Sequence, residues 1–130
     1  MTEPRKQAAV RIDANDCAMA TWDDPSKGTI RWQTLLSKGL TATSGMVCGI
    51  AHLAPGETFA LHHHAEAEIY FGIEGAGQVM IDGVGHDLAP GVALFIPTHA
   101  VHGIPACQTA LRFFYVFAAD SFDEIAYQFV

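Results

Sequence analysis

From Thr29 onward the chain is broken at short, regular intervals by turn-forming residues: Ala54-Pro55-Gly56-Glu57, Gly75-Ala76-Gly77, Asp82-Gly83 and Ala89-Pro90-Gly91 separate apolar runs. That spacing marks antiparallel strands joined by tight connections, and helix signals are nearly absent. The expected fold is all-β, a sandwich or barrel. Strands are expected over Thr29–Leu36, Ser44–Leu53, Thr58–His64, Glu68–Glu74, Gln78–Asp82, Val92–Ile96, Gly103–Cys107 and Leu111–Ala118. Asp82-Gly83 fits a two-residue hairpin, whose central positions require positive φ. Residues 1–28 are mixed and polar, with Asp23-Asp24-Pro25 as a turn, and are expected to form an N-terminal arm before one barrel domain over 29–130. Toward the other end, Asp120-Ser121-Phe122-Asp123-Glu124-Ile125 offers an N-cap followed by acidic residues, which predicts a short C-terminal helix.

With 130 residues the chain makes one domain, large enough to bury a core without disulfides. Half of its residues are hydrophobic and only 16% are charged, more apolar surface than a monomer of this size needs to bury, so a homodimer is expected. The net charge of -7 leaves no basic stripe for phosphates, and neither nucleic acid nor an anionic membrane is an expected partner. The first residues hold no apolar run, and no run reaches membrane-spanning length. Cys17, Cys48 and Cys107 are odd in number and widely spaced, fitting neither a disulfide framework nor a CxxC site. The reducing cytoplasm is the expected compartment.

The chemistry lies in one run. His62, His64, Glu68 and Tyr70 stand at even separations, so in extended backbone they share a face if the intervening turn preserves register, while His63, Ile69, Phe71 and Ile73 point the other way. Such a strand suits a barrel whose interior holds a metal and whose outer face is covered by a second sheet or subunit. Imidazoles and a carboxylate suit divalent first-row metals, and three or four of them leave positions open for water or substrate. Gly72, next on the inner face, is expected to leave room for a small ligand.

A lone His-x-His is common. Five fixed identities at ordinary usage arise at a given start on the order of once in a million, so the full spacing carries information. Gly56, five residues, His62, one, His64, three, Glu68, six, Gly75 resembles the first cupin motif at every fixed position. Gly91, five residues, Pro97, one, His99, two, His102, then three to Ala106 resembles the second, with His99 in place of Gly and Ala106 in place of Asn. Neither departure touches a ligand position of the pattern. The resemblance spans about residues 44 to 118 and implies a cupin-type jelly-roll barrel of antiparallel strands. It also implies one divalent transition metal (Fe, Mn, Ni or Zn, with cobalt and copper compatible) on His62, His64, Glu68 and His102.

Glu68, one residue, Tyr70 is also similar to the metal-binding segment of cupin lyases that cleave dimethylsulfoniopropionate to dimethyl sulfide and acrylate. That likeness implies a small carboxylate-bearing substrate, with Tyr70 as catalytic base in a β-elimination. An Fe(II)-dependent oxygenase at the same site and a non-enzymatic small-molecule-binding module are the alternatives. Cys48 and His52, with Met46 and Ile50 on one strand face, are candidate substrate-binding residues, as is His99 near the expected barrel mouth. His86 is expected to be exposed, and Trp22 and Trp32 to anchor the arm. Leu111–Phe117 is apolar on both faces, one for the barrel and one for a dimer surface.

Overall fold

A computed structural model describes residues 7–130; the first six residues of the expected arm, including Arg5-Lys6, lie outside the described residues. The described strands, in chain order, are β1 Ala20–Thr21, β2 Arg31–Leu36, β3 Val47–Leu53, β4 Phe59–His63, β5 Glu68–Gly75, β6 Gly77–Ile81, β7 Val84–Leu88, β8 Ala93–Ile96, β9 His102–Ile104, β10 Leu111–Phe117 and β11 Gln128–Phe129. They form two antiparallel sheets, β1-β2-β3-β10-β5-β8 and β11-β4-β9-β6-β7, which enclose the core of a jelly-roll barrel. No described helix is long and apolar enough to cross a membrane.

β10 organises the first sheet. It lies between β3 and β5, with Phe113 opposite Ala51 and Gly72, Tyr115 opposite Gly49 and Tyr70, and Phe117 opposite Val47 and Glu68. Paired residues share a face, so Val47, Gly49, Ala51 and Leu53 point inward with Leu111, Phe113, Tyr115 and Phe117. The expected lining by Met46, Cys48, Ile50 and His52 is therefore reversed, and these residues lie on the outer side of β3. Both faces of β3 are largely apolar, so alternation alone did not fix its orientation. The deciding contact is Gly49, where a Cβ would lie 2.3 Å from the Tyr115 hydroxyl; only a glycine lets that ring cross the strand.

Gly72 also does something other than expected. A Cβ there would lie 2.0 Å from the Ala89 carbonyl oxygen, and Gly72 N–H donates to Val92 O at 2.9 Å while Gly91 N–H donates to Gly72 O at 3.0 Å. Backbone from the Ala89–Gly91 turn fills the space that a ligand was expected to take.

The Asp82-Gly83 hairpin is present, joining β6 and β7 with Ile81 opposite Val84 and φ of 48° at Asp82. β7 itself gave no alternation to read, because it is exposed along all but Leu88. The C-terminal helix is a single 3-10 turn, Phe122–Glu124. β1 and β11 are edge strands of two residues each, too short for any periodicity.

Gly75, which closes the first motif, has φ of +75°, and a Cβ there would stand 1.6 Å from the Ala110 carbonyl oxygen. Gly75→Ala is expected to cost about 2–4 kcal/mol, through an unfavourable backbone conformation plus displaced backbone. Urea unfolding monitored by circular dichroism checks this, as a lower midpoint with an unchanged slope.

Candidate metal centre

His62 on β4 and His102 on β9 are direct cross-strand partners in one sheet, and Glu68 opens β5 in the other. A β-bulge between Phe59 and His62 puts both inside although they are three residues apart, and Phe59 stacks on the His62 ring with centroids 4.1 Å apart. His64 follows the end of β4 and packs edge-on against Phe117 at 5.3 Å. His62, His64, Glu68 and His102 are all buried.

Each imidazole is oriented by main chain. The Nδ1 atoms of His62, His64 and His102 lie 2.8, 2.9 and 2.8 Å from the carbonyl oxygens of Ala60, Glu66 and Ala100. A carbonyl only accepts, so Nδ1–H is the donor and each neutral ring presents an Nε2 lone pair on its other side. One ring nitrogen from each of the three histidines lies within 4.8 Å of the other two. His62 Nε2 and His64 Nε2 are buried with no hydrogen-bond partner among the described residues. Glu68 Oε1 lies 3.4 Å from His64 Nε2 and 3.3 Å from His102 Nε2.

Imidazole lone pairs directed at one buried point, with a carboxylate oxygen beside two of them, repel each other unless positive charge lies among them. Burial and the neighbouring His102 push the His62 pKa down to about 3, so that ring stays neutral. Burial is the largest single influence on the His64 pKa and lowers it, but the Glu68 carboxylate, the Glu66 carbonyl and the Glu66 carboxylate together outweigh it and leave the ring above its ordinary value. The three imidazole nitrogens could together hold one divalent transition metal, with the Glu68 carboxylate beside them.

Beside these residues is a cavity with about 20 Å³ of free volume, room for about one water molecule. Tyr70 reaches it from the inward face of β5, its ring centroid 6.1 Å from that of His102. Burial, then the Glu68 charge, raises its pKa well above the ordinary phenol value. Trp22, Trp32, Phe122 and Tyr127 also line it. Tyr127 was not foreseen as a site residue; Tyr127-Gln128-Phe129 alternates, and that brief signal could have marked the strand that carries it in.

The remaining candidates lie apart from this cavity. His52 shares a hydrogen bond with Gln33, 2.8 Å from Nε2 to Oε1, and burial, then Arg112 and Arg31, lower its pKa. Cys48 is buried on the outer side of β3, and burial raises its thiol pKa. The His99 side chain is exposed. Its backbone holds φ of +62° where the motif has glycine, and its N–H donates to His64 O at 2.8 Å, tying the second motif to the first.

The jelly roll with three inward histidines and a carboxylate defines a cupin, and the chain belongs to that family: residues 49–117 match the Cupin domain. Among its relatives, dimethylsulfoniopropionate lyase DddW of Ruegeria pomeroyi is 45% identical over 118 residues, covering 91% of this chain and 78% of that protein. 5-Nitrosalicylic acid 1,2-dioxygenase of Bradyrhizobium sp. is 30% identical over 66 residues, 51% of this chain and 32% of that enzyme. Among solved structures, the polyketide cyclase RemF of Streptomyces resistomycificus superposes with a TM-score of 0.79 at 18% identity, covering 95% of this chain and 86% of that one, a likeness of fold.

Purified chain is expected to hold one first-row divalent ion per molecule by elemental analysis. His64→Ala and His102→Ala should each weaken that binding by about 10²-fold or more. His99→Gly should leave it unchanged, since only the His99 backbone serves the site.

Proposed function

We propose that this chain is a metal-dependent lyase that cleaves dimethylsulfoniopropionate by β-elimination. The observation that carries this reading is the placement of Tyr70 inside the barrel, two residues along β5 from Glu68, in a chain 45% identical to a lyase of that substrate. A divalent cation on His62, His64, Glu68 and His102 would bind the substrate carboxylate and stabilise the negative charge that grows beside it. Tyr70 Oη takes the proton from the carbon next to that carboxylate. The electrons of the C–H bond form the new double bond, the C–S bond breaks with its pair on sulfur, and acrylate and dimethyl sulfide leave. Burial beside Glu68 keeps the Tyr70 phenol protonated, so the base role depends on positive charge in the site.

The second reading is an Fe(II)-dependent oxygenase, favoured by the 66-residue similarity to a dioxygenase. Elimination needs no oxidant, which separates the two. Under argon the metal-loaded chain should release dimethyl sulfide and acrylate in equal amounts. Tyr70→Phe should lose about 10²–10⁴-fold in kcat while retaining its metal. Oxygen uptake coupled to turnover would instead support the oxygenase.

We further propose that the acting unit is the barrel of residues 29–130 with the arm of 1–28, working in the reducing cytoplasm, where Cys17, Cys48 and Cys107 stay free as they are here, and that it is a homodimer. On the outer face of the first sheet, Ile69 lies opposite Phe95 and Val116, and Phe71 opposite Phe114, with Phe95 66% and Met46 60% exposed. This continuous apolar patch suits a self-complementary interface. Phe95→Lys should convert dimer to monomer in sedimentation equilibrium without lowering the unfolding midpoint of the monomer.

A further inference from the structure

One end of the cavity is closed by four aromatic rings in a circuit. Successive centroids are 4.9 Å apart for Trp22 and Trp32, 5.8 Å for Trp32 and Phe122, 5.9 Å for Phe122 and Tyr127, and 5.0 Å for Tyr127 and Trp22. The circuit abuts the metal centre through Tyr127, 5.2 Å from the His62 ring and 5.1 Å from the His64 ring. None of the four falls within residues 49–117, the part that matches the family.

Each ring is delivered by separate backbone. Trp22 follows β1, where Ala20 pairs with Trp32 itself, and the arm is held by Gln33, whose amide donates to Ala14 O at 2.7 Å and to Cys17 O at 3.1 Å. Phe122 is fixed by its N–H to Ser37 Oγ at 2.9 Å. Tyr127 precedes β11, which pairs with β4 beside His62 and His63.

The chemistry of this wall is one-sided. Eight of the eleven residues lining the cavity are aromatic, Glu68 is the one charged residue among them, and no Lys or Arg is present. Aromatic faces carry negative quadrupole potential and attract cations, most strongly when these are bulky and weakly hydrated. A cation already uses the periphery of the same cluster: Lys27 Nζ lies 5.5 Å from the Trp22 centroid and 5.4 Å from that of Phe129. Trp22 also buries an indole N–H that has no acceptor among the described residues, a donor left for a ligand oxygen. A plain apolar plug requires neither a ring of aromatics nor an unsatisfied indole.

We infer that the Trp22, Trp32, Phe122 and Tyr127 circuit is a receptor for an onium head group, dimethylsulfonium or trimethylammonium, on a small acid whose carboxylate sits at the metal centre. This rests on the carboxylate-binding role proposed for that centre. The circuit makes Trp22 and Trp32 residues that determine specificity: they select the charge of the head group and take no part in the elimination. All four rings are only partly buried. With free volume of about 20 Å³, the head group enters by displacing a ring, and Trp22 is the one carried on the arm.

Calorimetric titration of the metal-loaded full chain tests this with two unreactive acids of one shape, 3-(trimethylammonio)propanoate and its neutral carbon isostere 4,4-dimethylpentanoate. The wild type should bind the ammonium acid at least about tenfold more tightly. Trp22→Leu and Trp32→Leu should each reduce that preference to less than about threefold while changing neutral-acid affinity little, and Trp22→Phe should keep part of it. Equal binding of the two acids by the wild type, a comparison that needs no variant to fold, would overturn the inference. So would an undiminished preference in both Leu variants. Charge preference without dimethyl sulfide release sinks the lyase reading and leaves the receptor; release without charge preference does the reverse.

Discussion

A carboxylate buried against imidazole lone pairs is the arrangement on which the rest of this barrel depends. Glu68 is 4% exposed and faces His64 and His102 at 3.4 and 3.3 Å. Removing such a group from water costs several kcal/mol unless charge and hydrogen bonds replace its hydration. Glu68 comes from one sheet and the histidines from the other, so the site exists only where the sheets are held at a fixed separation. Inward side chains of β3, β10 and β5 pack in the core between the sheets and hold that separation, and Phe59 and Phe117 pack directly on the His62 and His64 rings. Core packing and site chemistry are therefore one problem: a change in core volume beside Phe117 is also a change in the approach of Glu68 to His64.

The clustering of the candidate ligand residues was legible because metal chemistry would demand fixed spacing. His62, His64 and Glu68 must lie on one face at a turn, and few chains place them so by accident. Tyr70 followed from parity along the same strand. Parity failed on β3, where apolar residues on both faces leave alternation silent and the orientation follows from Tyr115 crossing Gly49, a contact between residues 66 positions apart. It failed again at Gly72, since an absent side chain admits backbone as readily as ligand. The substrate-facing assignments of Cys48, His52 and His99 drew on the same local logic and gained no support from long-range register. His99 was marked in advance as the departure from a motif glycine, and its left-handed backbone is the physical content of that departure.

The cavity wall was the least legible part because it is assembled from the chain's two ends. Residues 49–117 carry the family pattern and the buried histidine cluster, whereas Trp22, Trp32, Phe122 and Tyr127 come from segments with no motif and almost no periodicity. Their positions depend on edge pairings of two residues, β1 on β2 and β11 on β4. On the proposed function, the central strands would set the reaction and the terminal segments would set which molecule is admitted to it.

The hydrogen bonds that aim the three ligand rings end on main-chain carbonyls of Ala60, Glu66 and Ala100. No side-chain replacement at those positions deletes a carbonyl. These three hydrogen bonds are therefore insulated from side-chain replacement at Ala60, Glu66 and Ala100, and they are exposed to changes of length. One residue inserted or removed between His64 and Glu68, or just before His102, would swing a carbonyl off its imidazole while every ligand stayed in the sequence. Drift at the three carbonyl-bearing positions should be freer in residue identity than in loop length.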